Sequence, residues 1–182
     1  MKLNTPIERA LVLTHEGGRA DAHMKPAIEL ERAVATCLLW ENIFYEKGSG
    51  IASRIAELCR QVPVEQIAVL AVKARNDYKL RHVPLFLCVQ LAKLAAGRKD
   101  GLVRNTVAAV IQRPDEMGEL LAIYWSTGEP MDQTKQRKKP IPAQIKKGLR
   151  SAFGQFSEYQ FSKWNRAAAV KLRDVMFLVS PK

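Results

Sequence analysis

Residues 63–97 read PVEQIAVLAVKARNDYKLRHVPLFLCVQLAKLAAG, and this stretch decides the fold. Its first half follows Pro63, which suits the first turn of a helix, and places apolar residues at spacings of three and four. Its second half begins at Pro84, keeps the same period, and stops at Gly97, as helices commonly do. The stretch therefore predicts two amphipathic helices. The predicted apolar faces comprise Ile67, Leu70, Ala71, Ala74 and Tyr78, and then Leu87, Cys88, Leu91, Ala92 and Ala95.

The same helical period continues on both sides of this stretch. Pro114 is followed by two acidic residues, a favourable start for a helix, and another helix is predicted to begin at Pro142. Ser157 precedes Gln160 at a capping-box spacing, which predicts one more helix through Tyr159 and Trp164. No segment alternates with a period of two, so the sequence predicts an all-α protein. The further apolar stripes are Ile51, Ile55, Leu58 and Val62; Val103, Val107, Val110 and Ile111; Met117, Leu120, Leu121, Tyr124 and Trp125; and Ile145, Leu149, Ala152, Phe153 and Phe156.

The helices come in rough pairs that proline and glycine separate. A pair spans roughly 40 residues, the period of HEAT-like and armadillo-like repeats. The residues themselves do not repeat, so the periodicity is compatible with an α-solenoid and equally with a compact bundle. We interpret residues 1–182 as one domain. Within it, residues 126–142 are rich in proline and basic residues and are predicted to form a long loop.

Composition favours a polyanionic partner. Lysine and arginine number 29 against 18 aspartate and glutamate residues, which gives a formal net charge of +11. Such an excess attracts nucleic acid or an anionic membrane surface. No apolar run approaches the roughly 20 residues that a membrane span needs, and the first residues do not resemble a secretory signal. The cysteines, Cys37, Cys59 and Cys88, lie in apolar helical patterns, which indicates buried reduced thiols and a cytoplasmic protein.

Signatures of catalysis are missing from the sequence. It contains no phosphate-binding GxxxxGK[ST], no dinucleotide-binding GxGxxG, and neither HExxH nor GxSxG. His15, His23 and His82 have no metal-ligand spacing to one another or to the cysteines. We therefore predict a protein that is not an enzyme and that has no cofactor and no metal site.

Basic residues concentrate in two regions. The first runs from Lys135 to Arg150 and continues into a segment where Tyr159 and Trp164 alternate with cations. Lysine and arginine neutralise phosphates, and aromatic faces stack on unpaired bases, although aromatics at helical spacing more often belong to a core. The second surrounds the turn before Pro84, where Arg81 and His82 are placed to meet an anion at a helix amino terminus.

Several long stretches resemble the TROVE module of Ro ribonucleoproteins. Residues 32–48, RAVATCLLWENIFYEKG, are similar to a segment near the start of bacterial and phage TROVE modules, and Thr14 to Gly17 matches the THEG that tends to precede it. Residues 79–85, KLRHVPL, resemble a junction of the same family. Later segments follow the family's order and spacing: Ile141 to Leu149, Tyr159 to Lys163, and Lys171 to Leu178. Together these motifs span nearly the whole chain.

The resemblance implies a ring of HEAT-like helix pairs around a positively charged hole. Members of this family bind single-stranded 3′ ends of misfolded noncoding RNA in the hole and Y RNAs on the outer surface, in RNA quality control. The resemblance thus implies noncoding RNA as the partner, with a second chain that completes the ring or an exoribonuclease as further partners. The candidate RNA-binding residues are Lys138, Lys139, Lys146, Lys147, Arg150, Lys163, Lys171 and Arg173, followed by Arg75, Lys79, Arg81 and His82.

The sequence also departs from the family pattern. The resemblance covers only the amino-terminal half of the module, and the von Willebrand A-like domain and its DxSxS metal motif are not found. Leu172, Val175, Met176 and Val179 form an apolar stripe close to Lys182, from which we expect a truncated, open solenoid. Two alternatives stay open. One is a HEAT-like DNA-binding or base-excision protein with Asp174 as its carboxylate, and the other is an assembly fragment with only generic affinity for nucleic acid.

Overall fold

The computed structural model describes residues 24–45, 48–126 and 142–153. Within these ranges all regular structure is helical, which confirms the all-α prediction there. The predicted helix after Ser157, the stripe from Leu172 to Val179, and most of the predicted loop, residues 127–141, lie outside the described residues. The α-helices are α1 (Lys25–Thr36), α2 (Ile51–Cys59), α3 (Val64–Asn76), α4 (His82–Leu94), α5 (Leu102–Val110), α6 (Pro114–Ser126) and α7 (Ala143–Phe153), and a 3-10 helix spans Glu41–Tyr45.

Proline marks the beginnings of five helices, including α1, whose second residue is a proline, with small differences from the prediction. α6 begins at Pro114 as predicted, and Pro63 and Pro142 directly precede α3 and α7. α4 begins at His82, two residues before Pro84. A proline in the first turn is tolerated because its missing N–H has no partner inside the helix. The helix can therefore extend upstream of the residue that the sequence pattern places at its start.

α4 is the central helix of the described structure. Every residue from Val83 to Ala92 is buried, and the helix contacts α2, α3, α5 and α6. The sequence predicted one buried stripe, but a helix that is apolar on all sides is buried all round. Phe86 packs edge-to-face on Phe44 of the 3-10 helix, with ring centroids 5.2 Å apart. Neither α4 nor any other helix in the described ranges is long and apolar enough to cross a membrane.

Each helix contacts the next but one in the chain. These contacts join α1 to α3, α2 to α4, α3 to α5, α4 to α6, and α5 to α7. Sequential helices also pack together in the pairs α1–α2, α3–α4 and α4–α5. These contacts link the odd-numbered helices in one series and the even-numbered helices in another.

A glycine permits the closest of these approaches. A Cβ atom on Gly148 of α7 would lie 2.8 Å from the carbonyl oxygen of Arg104 and 2.8 Å from Cβ of Val107, both in α5. Ile145 and Leu149, two residues of the predicted stripe of α7, are fully buried in the same interface. The position of α7 on α5 thus depends on the absence of a side chain at residue 148.

The predicted burial of the cysteines is confirmed. Cys37, Cys59 and Cys88 are free and buried, and burial raises the pKa of each thiol to about 12. A thiol with such a pKa carries almost no thiolate near neutral pH and is a poor nucleophile.

Candidate nucleic-acid interface

α7 carries the part of the first predicted basic region that the structure describes. Its apolar stripe packs on α5, which leaves the basic residues on its remaining faces. Lys147 and Arg150 are exposed, whereas Lys146 is half-buried. Lys147 and Arg150 are three residues apart, so their Cβ atoms lie roughly 5–6 Å from one another on one helix face. No carboxylate of the described ranges forms a salt bridge with Lys147 or Arg150, so this face presents two cations to solvent.

A further cation beside this face was missing from the sequence prediction. Arg104 of α5 is exposed, and its backbone contacts α7 at Gly148. Its side chain hydrogen-bonds only its neighbour Asn105 among the described residues, at 3.2 Å. Helical period, applied to Arg104 and the buried Val103 and Val107, could have predicted that Arg104 lies outside the apolar stripe. The sequence could not show that α5 and α7 are in contact.

The second predicted basic region is a network of ion pairs. The guanidinium of Arg75, at the end of α3, lies 2.5 Å from Oε1 of Glu116 in α6, with only 11% and 1% of the two side chains exposed. The second carboxylate oxygen of Glu116 accepts hydrogen bonds from the backbone N–H groups of Gln112 and Arg113, at 2.8 and 3.1 Å. The charge of Arg75 is therefore neutralised inside the protein.

Arg81 and His82 contact acidic residues of α6, the helix that also carries Glu116. The Arg81 guanidinium donates hydrogen bonds to Asp115, at 2.9 Å, and to Glu119, at 2.6 Å. Nδ1 of His82 lies 3.3 Å from Oε2 of Glu119. Burial raises the pKa of the Glu119 carboxyl, but the neighbouring His82 and Arg81 outweigh it, so the pKa lies below its usual value. We call these seven residues the junction cluster: Arg75, Arg81, His82, Arg113, Asp115, Glu116 and Glu119.

An anion does lie at the amino terminus of α4, and it belongs to the protein itself. Oε1 of Glu41 accepts hydrogen bonds from the backbone N–H groups of Arg81, at 2.6 Å, and His82, at 3.1 Å. A carboxylate at this position satisfies free N–H groups and favours the helix dipole. The sequence placed an external anion here because nothing in it links Glu41 to a turn 40 residues away. Lys79 lies exposed in the same turn, with a left-handed φ of 57°.

The structure thus divides the predicted binding residues into three groups. Lys146, Lys147 and Arg150 share α7, while Arg75, Arg81 and His82 lie in the junction cluster. Lys79, exposed in the turn before α4, belongs to none of these groups. The alternative catalytic carboxylate Asp174 lies outside the described residues, as do the candidates of the third group. These candidates are Lys138, Lys139, Lys163, Lys171 and Arg173.

Comparison with known proteins leaves the description at the level of fold class. No protein-family model matches the chain. No solved structure matches it either. The described structure is all-helical with a cationic face on α7, and membership of the TROVE family stays a prediction from the sequence motifs.

Proposed function

We propose that this protein binds RNA through phosphate contacts on α7. The observation that carries the proposal is the pair Lys147 and Arg150, which are exposed and without carboxylate partners in the described structure of a protein with net charge +11. Cations that are already exposed pay no cost of breaking an internal ion pair when they meet a phosphate. Binding then releases counterions, which makes the affinity depend steeply on salt.

The partner we propose is noncoding RNA, in the form of single-stranded 3′ ends of misfolded RNA or Y-like RNA. This assignment rests on the TROVE-like motifs, of which KLRHVPL at residues 79–85 covers the end of the turn before α4 and the first turn of α4. The corresponding role is ribonucleoprotein assembly and RNA quality control in the cytoplasm, without catalysis. A second chain completing a ring, or an exoribonuclease, would act as a further partner.

The architecture we propose is an open α-solenoid of HEAT-like pairs. Contacts between each helix and the next but one support it, because stacked helix pairs place odd helices beside odd ones and even helices beside even ones. A solenoid of this kind offers an extended surface, along which α7 and its neighbour α5 would hold the RNA backbone.

The test is RNA affinity across a salt series with three ligands of similar length. These are a hairpin with a single-stranded 3′ tail, the same hairpin with a blunt end, and a DNA duplex. Recognition of RNA ends predicts that the tailed hairpin binds most tightly at every salt concentration. Equal affinity for all three ligands would reduce the function to generic charge attraction, and no salt-dependent binding would overturn the proposal.

A further inference from the structure

A cavity of about 370 Å³ opens where α4 ends and α7 begins. Its walls are mostly apolar and come from the end of α4, from α5, from α6 and from the first turn of α7. Pockets of a few hundred Å³ with apolar walls and a few polar groups are typical of sites for small ligands. The residues that line it include Lys93, Ala96, Lys99, Tyr124 and Gln144.

The chemistry of the lining fits a nucleobase with its phosphate. Tyr124 is half-buried and supplies an aromatic ring, and Gln144 supplies an amide that both donates and accepts hydrogen bonds. Lys93 and Lys99 also line the cavity, and the exposed Lys99 adds a positive charge. Unpaired bases are held in this way, by stacking on aromatic side chains and hydrogen bonding along their edges.

A second cavity, of about 390 Å³, lies between α1 and α3 and lacks this chemistry. Its cation, Lys73, forms a salt bridge with Glu31, which lines the same cavity, and it contains no aromatic residue. A further carboxylate, Glu65, adds negative charge to its lining. The cavity at α7 therefore suits an anionic, aromatic ligand better than the cavity at α1.

The cavity at α7 is in register with the proposed phosphate-binding face. Gln144, Lys147 and Arg150 follow one another at intervals of three residues, so Lys147 neighbours both of the others on the surface of α7, while Gln144 and Arg150 lie about 120° apart around the axis. The six residue steps from Gln144 to Arg150 rise roughly 9 Å along the helix axis. One strand of duplex DNA advances about 3.4 Å per nucleotide and an unstacked strand advances further, so this distance spans at most about two or three nucleotides.

We propose that this cavity binds one unpaired base of an RNA strand whose neighbouring phosphates lie on Lys147 and Arg150. The proposal rests on the proposed function and narrows it to single-stranded RNA. A base within a duplex is stacked on both faces and paired along one edge, so it cannot enter a cavity of this kind. The cavity would thus distinguish a single-stranded tail from a helical stem, which the cations of α7 alone cannot do.

The experiment compares two ligands with the same phosphates: an oligouridylate octamer and an abasic octamer of the same ribose-phosphate backbone. Ala96→Leu fills the cavity from an exposed position at its edge, and Ala109→Leu is the matched control on the exposed side of α5. Tyr124→Leu is a second variant that removes the aromatic ring while keeping apolar volume. Thermal unfolding followed by circular dichroism verifies that each variant is folded.

For the wild-type protein we expect the uridylate octamer to bind about tenfold more tightly than the abasic one. This is the gain in affinity that stacking of one base on an aromatic side chain gives in proteins that bind single strands. Ala96→Leu and Tyr124→Leu should abolish this ratio, and Ala109→Leu should retain it. If the wild type binds both octamers equally and the salt dependence is intact, the cavity does not bind a base, and the proposal of RNA binding by α7 is unaffected. Absence of salt-dependent binding to either octamer would overturn both.

Discussion

The two basic regions of this protein look alike in the sequence and differ in the structure. In the junction cluster, each described arginine meets a carboxylate of α6, and Arg75 and Glu116 are almost fully buried. On α7, Lys147 and Arg150 face solvent without a carboxylate partner in the residues we describe. Positive charge therefore has two uses in one chain. Inside the junction it joins α3, α4 and α6, and on α7 it is available to a ligand.

The same division explains why net charge is a poor guide to a binding site. A buried ion pair contributes to the structure only while both partners are present, because a lone buried charge is strongly unfavourable. An exposed lysine contributes little to stability and much to the long-range field of the protein. The two regions should consequently respond in opposite ways to substitution.

The largest effect should follow from removing the buried carboxylate of the junction. Glu116→Gln leaves Arg75 buried without its counter-charge and weakens the hydrogen bonds to the backbone of Gln112 and Arg113. We expect the free energy of unfolding, measured with urea, to fall by about 3–5 kcal/mol. Glu57→Gln is the control, since Glu57 is exposed and pairs only weakly with Arg54, and it should change stability by about 1 kcal/mol or less. Similar losses for both variants would mean that the junction is not a buried network.

The next effect should come from the contact that positions the α7 face. In Gly148→Ala the new methyl group would lie 2.8 Å from the Arg104 carbonyl oxygen and from Val107. Alanine favours a helix by up to about 1 kcal/mol over glycine, but overpacking costs about 1–3 kcal/mol. We expect a net loss of stability in urea denaturation, and weaker RNA binding as α7 shifts. Ser151→Ala, on the exposed side of the same helix, should be nearly neutral. A Gly148→Ala protein as stable as the wild type would contradict the close approach of α5 and α7.

A pH-dependent effect should identify the acidic side of the junction. Because the folded protein holds the pKa of Glu119 below its usual value, the unfolded chain binds more protons at that residue as the solution is acidified. Its stabilising contribution is therefore complete above the usual glutamate pKa, about 4.3, and is lost as pH falls through the lower folded-state value. The difference in urea midpoint between wild type and Glu119→Gln should be largest near pH 7 and shrink towards pH 3. A difference that is constant with pH would count against the ion pairs of Glu119.

The smallest effect on stability is expected where the effect on binding is largest. Replacing Lys147 and Arg150 together with glutamine removes two exposed charges and no described ion pair. The free energy of unfolding should stay within about 0.5 kcal/mol of the wild type. A substantial loss of stability would show that these cations have structural partners and would remove the contrast between the two regions.

Local pattern was sufficient for much of the fold. The three- and four-residue spacing around Leu70 and Leu91, together with Pro114, predicted helices that the structure contains. The sequence pattern predicted one buried stripe on α4, whereas all its residues from Val83 to Ala92 are buried. Period alone separates an exposed face from a buried one only where polar residues mark the exposed face.

The candidate site was predictable only in part, for a different reason. That Lys147 and Arg150 avoid the apolar stripe follows from helical period, which is a local property. That Arg75 meets Glu116, and that Glu41 binds the start of α4, depends on contacts between residues about 40 positions apart. Such pairs depend on how the helices pack against one another, and no local pattern in a single sequence shows that packing. The acids at residues 115 and 116 could be assigned to a helix start, but not to partners in α3 and α4.

The most direct test of this account is the salt dependence of RNA binding in two charge-matched variants. Lys147→Glu with Arg150→Glu changes the exposed face of α7, and Lys25→Glu with Arg60→Glu makes the same change of charge at exposed positions on α1 and beside α2. With a tailed RNA hairpin, we predict that the slope of log K against log salt becomes less steep in the α7 variant by at least about 1.4, equal to two single-strand phosphate contacts, while the other variant retains the wild-type slope. An unchanged slope in the α7 variant, or an equal decrease in both, would contradict the account.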